Sequence, residues 1–160
     1  MDDLNLVGIP VEIKTAASYL QKEFEMKDLG KTKFCFSIQI EYLPNAIFFS
    51  PIIFTEKVLK RFHRNNAYRL NTPMVARTLD GHGEGKIILG LETLYLSAIG
   101  VLMYLADNTR PDIAFAVNLL TKYSSTPTRK HWKGVKDVLY YLRGTTNIGL
   151  FIHKSLYPIS

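Results

Sequence analysis

The chain has 160 residues, enough for one hydrophobic core and too few for two comfortable ones. Apolar residues make up 47% and charged residues 21%, the balance of a folded protein rather than a disordered one. Twenty Lys and Arg against fourteen Asp and Glu leave a net charge of +6, which favours polyanionic partners, nucleic acid first. A secretory leader is not expected, because the start is acidic where such a leader is basic. The longest apolar or glycine run, Ala98 to Ala106, is too short to span a bilayer, so no membrane partner is expected. Cys35 is the only cysteine, which excludes an intrachain disulfide and a cysteine-held metal and suits the cytosol or nucleus.

Leu4 to Val7 reads as a short strand ended by Gly8. Pro10 then pre-sets helical geometry, and Ile13, Ala16, Ala17, Leu20 and Phe24 fall on one helical face that Asp28-Leu29-Gly30 would stop. From Lys33 to Glu41 the period changes to two, with Phe34, Phe36, Ile38 and Ile40 facing one way in one long strand. Turn residues Leu43-Pro44-Asn45-Ala46 and the returning Ile47-Phe48-Phe49 complete a β-hairpin. Ser50-Pro51 looks like an N-cap and first helical proline. The helix it opens runs to about Arg64, with Phe54, Val58, Leu59 and Phe62 inward and Lys57, Lys60, Arg61 and Arg64 outward.

Residues 65–91 carry little pattern beyond Asn71-Thr72-Pro73 and the loop Gly81-His82-Gly83-Glu84-Gly85. Those glycines lack the leading strand and the Lys-Ser/Thr pair of a phosphate loop. Three helices follow: Leu94 to Ala106, apolar nearly all round; Ile113 to Tyr123; and Arg129 to Arg143, with Trp132, Val135, Leu139 and Leu142 on one face. Gly144 would cap the last, and Ile148 to Ile152 reads as a terminal strand. The pattern is α+β, strands mixed with helices first and helices afterwards.

Chemistry-bearing residues are sparse. His63, His82, His131 and His153 show no metal-ligand spacing and read as surface or helix-end residues. Trp132 lies on an apolar stripe, so a core role outweighs base stacking. Lys57, Lys60, Arg61 and Arg64, and Lys130, Lys133, Lys136 and Arg143, could each follow a phosphate backbone or be ordinary solvated helix faces. Asp2-Asp3 at a strand start, on a basic chain, is the kind of pair that would hold Mg²⁺ in phosphoryl transfer, although two aspartates alone are weak support.

The order of short motifs is more telling. Met1-Asp2-Asp3-Leu4 resembles the aspartate-pair turn of reverse transcriptases. Lys22 through Gly30, Gln39-Ile40-Glu41, Val58 through Phe62, Asn71-Thr72-Pro73-Met74 and Tyr95 through Leu105 follow in the order found in Pol polyproteins of Ty1/copia-type LTR retrotransposons. Thr109-Arg110-Pro111-Asp112-Ile113-Ala114-Phe115, His131-Trp132 and Tyr141-Leu142-Arg143-Gly144-Thr145 complete the series. The resemblance implies a C-terminal part of a reverse transcriptase, an RNA-directed DNA polymerase. Residues 1–50 would be a palm remnant, an incomplete antiparallel edge whose hairpin grips the primer. Residues 51–147 would be a helical thumb and connection, and 148–160 a terminal strand and tail. Asp2 and Asp3 would be catalytic Mg²⁺ ligands, and the basic helices would hold an RNA or DNA template–primer duplex. The fingers, most of the palm and an RNase H segment would belong to the parent polyprotein, so the chain alone should be inactive. The alternative is a non-catalytic nucleic-acid-binding or protein-interaction module derived from the element. Phe36-Ser37 departs from the family's usual Leu-Gly, which puts a close backbone approach to the primer in question.

Overall fold

Two left-handed residues divide what the sequence presents as one long strand. In the computed structural model, which describes residues 4–64, 68–74 and 92–153, β1 (Phe34–Cys35) and β2 (Ile38–Leu43) pair antiparallel, with Cys35 opposite Ile38. Between them Phe36 and Ser37 have φ of 49° and 68°, the signs that a two-residue I′ turn demands at both central positions. The turn reverses the side-chain parity. Cys35, not Phe34, shares a face with Ile38 and Ile40, and Phe34 is left exposed on the other side. The alternation persisted across the break, so periodicity alone could not reveal it.

The expected hairpin beyond it is present. β2 turns through Pro44-Asn45 into β3 (Ala46–Ser50), and β4 (Leu150–His153) pairs antiparallel with β3, completing a sheet of order β1-β2-β3-β4. Gly149 lies so close to the Phe49 carbonyl and the Phe48 ring that a Cβ there would collide with both. Ile40, Phe49 and Leu150 stand in one cross-strand row, while Phe48 and Phe151 stack at 4.7 Å on the opposite face.

Leu4 to Val7 forms no strand: no described segment pairs with it, and Val7 is 98% exposed. Helix α1 (Pro10–Glu23) starts at its proline as expected but stops seven residues short of Gly30. Gly30 does adopt a left-handed φ of 74°, but in a separate turn where its N–H donates to Asp28 Oδ1 at 2.7 Å.

The core lies among α2 (Ile52–Arg61), α3 (Glu92–Asn108), α4 (Ala114–Thr121) and α5 (Arg129–Gly144), with a 3-10 turn at Pro111–Ile113 leading into α4. Pro51, rather than Ser50, is the N-cap of α2; Ser50 is the buried last residue of β3. On α5 the buried stripe is His131, Gly134, Val135, Val138, Leu139 and Leu142. That stripe runs beside Trp132, which packs against the core from its rim, half-buried and 6.5 Å from the Tyr95 ring, so the expected core role holds only in part. Gly144 is the last helical residue and not a left-handed cap; a Cβ on it would press against Arg69 and the Leu70 carbonyl, both at 3.3 Å. The sheet is tied to this bundle by Tyr104, which packs on Phe54 and donates its hydroxyl to the Phe36 carbonyl at 2.7 Å. The architecture is α+β, helices with a four-stranded antiparallel sheet.

Candidate nucleic-acid interface

The side chains with the most developed polar geometry are not the ones that charge patterning singles out. Arg110 is fully buried between α3 and the 3-10 turn. Its Nε and Nη2 donate to the two carboxylate oxygens of Asp112 at 2.9 and 2.8 Å, a bidentate pair. Nη1 and Nη2 also donate to the Thr145 carbonyl and Oγ1, at 2.8 and 2.7 Å. Tyr141 closes the ring by donating to Asp112 Oδ2 at 2.8 Å, with its own ring 5.6 Å from the guanidinium. Burial pushes the Asp112 carboxyl upward, but hydrogen bonds from Arg110 and Tyr141 and the guanidinium charge outweigh it and hold it below its ordinary value. The motif around Arg110-Pro111-Asp112 and the motif Tyr141 to Thr145 therefore meet, locking the start of α4 to the end of α5. Sequence reading missed this role. The available signal was an arginine two residues before an aspartate across a proline, with a threonine just past a helix-terminal glycine.

That clamp sets the posture of α5, whose exposed side carries Lys130 and Lys133, with Lys136 half-buried beside them. Asp137 lies next to Lys133 and Lys136, and its burial raises its carboxyl despite both cations. The N-terminus of α5 is closed by a capping box, in which His131 Nδ1 accepts the Thr128 backbone N–H at 3.0 Å. His131 is thus a helix-end residue, as expected, but a buried one, stacked 3.8 Å from Tyr123. Burial, aided by the charge of Lys130, lowers its pKa.

The α2 set is split. Lys57, Lys60 and Arg61 are exposed on the helix, and Arg61 donates to Ser97 Oγ on α3 at 2.7 Å. Arg64 is not part of that face. The helix ends in a Schellman motif, with His63 left-handed at φ 53°, its N–H on the Lys60 carbonyl and the Arg64 N–H on the Leu59 carbonyl. The reversal turns Arg64 back onto α5, where its guanidinium lies 5.6 Å from the Tyr140 ring.

Residues 68–70 run along the same turn of α5. Tyr68 stacks on Tyr140 at 4.2 Å, the Leu70 N–H donates to the Tyr140 carbonyl at 3.4 Å, and Arg69 lies against Gly144. Arg143, one turn beyond Tyr140, shares this surface. The buried Nε atoms of Arg64 and Arg143 have no hydrogen-bond partner among the described residues.

Asp2 and Asp3, together with the Gly81–Gly85 loop, lie outside the described residues. Among the described residues no group of three His, Cys, Asp or Glu side chains could hold a metal ion, and no helix is long and apolar enough to cross a membrane.

Curated relatives match along nearly the whole chain. The retrovirus-related Pol polyprotein from transposon TNT 1-94 of Nicotiana tabacum is 34% identical over 159 residues, covering 91% of this chain and 12% of the relative. The corresponding polyprotein from transposon RE2 of Arabidopsis thaliana is 33% identical over 156 residues, 96% of this chain and 10% of its own length. An uncharacterized mitochondrial protein of Arabidopsis thaliana is 31% identical over 156 residues, 97% of this chain and 64% of that protein. The chain thus spans roughly a tenth of the Pol polyproteins it matches. No family model matches it, and no solved structure does.

Proposed function

The chain belongs to the copia-type retrotransposon Pol family, and on that premise we propose that it is the C-terminal part of a reverse transcriptase domain whose task is to hold the template–primer duplex. The observation that carries this reading is the continuous match to two transposon Pol polyproteins over 91% and 96% of the chain. The hairpin around β2 and β3 is the palm edge facing the primer, and α2 to α5 form the thumb and connection. Lys57, Lys60 and Arg61 on α2, with Lys130, Lys133 and Lys136 on α5, supply cations for phosphate contact. Arg110, Asp112, Tyr141 and Thr145 act at a distance from the duplex by fixing how α5 presents its cations. In a complete polymerase Asp2 and Asp3 would hold Mg²⁺, which would supply charge stabilisation for nucleotidyl transfer. Nucleotidyl transfer of this kind also needs a third carboxylate and nucleotide-binding fingers, so the expectation for these 160 residues tested by themselves is no primer extension.

Titration of duplex DNA at several salt concentrations tests the binding role. Each phosphate contact on B-DNA contributes about −0.9 to the log–log salt slope, so Lys57→Ala with Lys60→Ala should flatten it by about two units. Equal slopes for wild type and double variant would remove α2 from the interface. Primer extension with Mg²⁺ and deoxynucleotides tests the inactivity: synthesis by the purified chain that vanishes in Asp2→Asn would overturn it.

A second reading, a non-catalytic nucleic-acid-binding or protein-interaction module derived from the element, draws support from the mitochondrial relative. The same stretch fills 64% of that protein, so it recurs in a chain far shorter than a Pol polyprotein. Full duplex affinity by this chain on its own would favour the module.

A further inference from the structure

We propose that the Tyr140–Gly144 turn of α5, with residues 68–70 laid along it, is a binding site for single-stranded nucleic acid, separate from the duplex-holding face of α2. The proposal rests on the nucleic-acid reading above and adds a second substrate form at a second place.

Several independent features converge there. The Tyr68–Tyr140 pair is a tilted aromatic stack at 4.2 Å, and its outer member, Tyr68, is 61% exposed. A core pair would hide both rings; here Tyr68 stays largely open to solvent beside the helix that carries Tyr140. Arginines surround it: Arg64 over the Tyr140 ring, Arg143 one helical turn away, and Arg69 against Gly144. Arg64 reaches the site only because the left-handed His63 turns it there, at the cost of its place on the α2 face. The Nε atoms of Arg64 and Arg143 are buried with no hydrogen-bond partner among the described residues, so packing and not a hydrogen bond at Nε positions these guanidiniums. Asp137 is the acid at this place, one turn before Tyr140, and its burial already disfavours the carboxylate.

Cations flanking an exposed aromatic face suit a phosphodiester strand whose base is free to stack. The bases of a duplex already stack on each other and cannot use Tyr68, whereas an unpaired base can, with guanidiniums meeting the phosphates on either side. Stacking is tolerant of sequence because every base has a π-face, so no base preference is expected.

The test measures fluorescence anisotropy of a labelled oligo-dT strand and of a duplex of equal phosphate count, each on four folded proteins. Tyr68→Ala should weaken oligo-dT binding about five- to a hundredfold, the usual cost of losing one stacked base, with duplex binding changed less than about twofold. Arg143→Gln should weaken oligo-dT binding and flatten its salt slope by about 0.7, the single-strand value for one phosphate. Lys57→Ala with Lys60→Ala should show the opposite selectivity. If Tyr68→Ala disturbs the fold by circular dichroism, Tyr68→Leu keeps apolar cover without the π-face and should show the same loss, while Tyr68→Phe should bind as wild type. Wild type that fails to bind oligo-dT, or Tyr68 variants that bind it normally, would overturn the proposal and leave the duplex role standing. Equal losses on both substrates would also overturn it. Duplex binding left unchanged in Lys57→Ala with Lys60→Ala would instead count against the α2 interface.

Discussion

Helices α1 and α5 are of similar length and both amphipathic, yet α1 buries no residue and α5 buries six. In α1 the stripe Ile13, Ala16, Ala17 and Leu20 is only half-covered, and Val11, Tyr19 and Phe24 are well exposed. In α5, Val135, Val138, Leu139 and Leu142 are sealed against α2, α3 and α4. Periodicity specifies a helix and a face, but the covering surface has to come from somewhere else. For α5 it comes from this chain; for α1 the described residues do not supply it. Stability should therefore be concentrated between α2 and α5, and the comparison can be broken or sharpened by substitution on each side.

The largest effect should follow loss of the arginine clamp. Arg110→Ala leaves Asp112 and the Thr145 carbonyl without their main donor and opens a hole at a fully buried position. Asp112 is 31% exposed and keeps the Tyr141 hydroxyl, so it is not stranded; the hole at Arg110 and the lost bonds to Thr145 together cost about 3–4 kcal/mol. Urea unfolding measures it; a cost below about 1 kcal/mol would mean the bundle does not depend on this clamp.

A stabilising change comes next, in the sheet. Ser37 sits at φ 68° and Phe36 at φ 49°, and a non-glycine residue in the left-handed region costs about 1–2 kcal/mol. Ser37→Gly should raise stability by about 1 kcal/mol, seen as a higher urea midpoint at unchanged slope. A loss would mean the Phe36-Ser37 turn is not left-handed. The β-hairpin beyond this turn was legible because Pro44-Asn45 is ordinary turn chemistry, while Phe36-Ser37 carries no such mark. Its conformation depends on a distant residue, Tyr104, which holds the Phe36 carbonyl. Arg64 was misplaced for a related reason: helical spacing put it with Lys57, Lys60 and Arg61, and only the left-handed His63 removes it. The burial of Val135, Leu139 and Leu142 was legible because adjacent helices impose the 3.6-residue period that the sequence displays. The clamp was not, because its partners lie 35 residues apart along the chain.

Within α5 itself, the His131 cap should give a pH dependence. Burial first, and the charge of Lys130 second, set the folded pKa of His131 below its ordinary 6.5. The unfolded chain then takes the proton first, so the stability linked to this group is complete above about pH 6.5 and is lost as pH falls through the folded value. Protonation also converts Nδ1 from acceptor to donor and removes the bond from the Thr128 N–H. His131→Gln keeps an acceptor at the capping-box position and does not titrate. Unfolding free energies for wild type should fall relative to this variant on going from pH 7 to 5. Parallel pH curves would show that His131 does not cap α5 through Nδ1. Asp112, whose carboxyl is held below its ordinary value of 3.8, loses its contribution only at lower pH, outside this window.

The smallest effect belongs to α1. Leu20 lies on the apolar stripe but is only half-buried, and alanine is the better helix former, so lost contact and gained propensity oppose each other. Leu20→Ala should change stability by less than about 0.5 kcal/mol, the range of surface substitutions, against the roughly 2–5 kcal/mol expected for Leu139→Ala in α5. Chemical denaturation of the two variants side by side gives the ratio directly. A cost above about 2 kcal/mol at Leu20 would mean that α1 is covered in solution. Repeating the measurement over a hundredfold range of protein concentration then separates cover by a second copy, whose contribution grows with concentration, from cover within one chain, whose contribution does not. A small, concentration-independent effect is the expected result, because an exposed stripe can fix the helix without anchoring it.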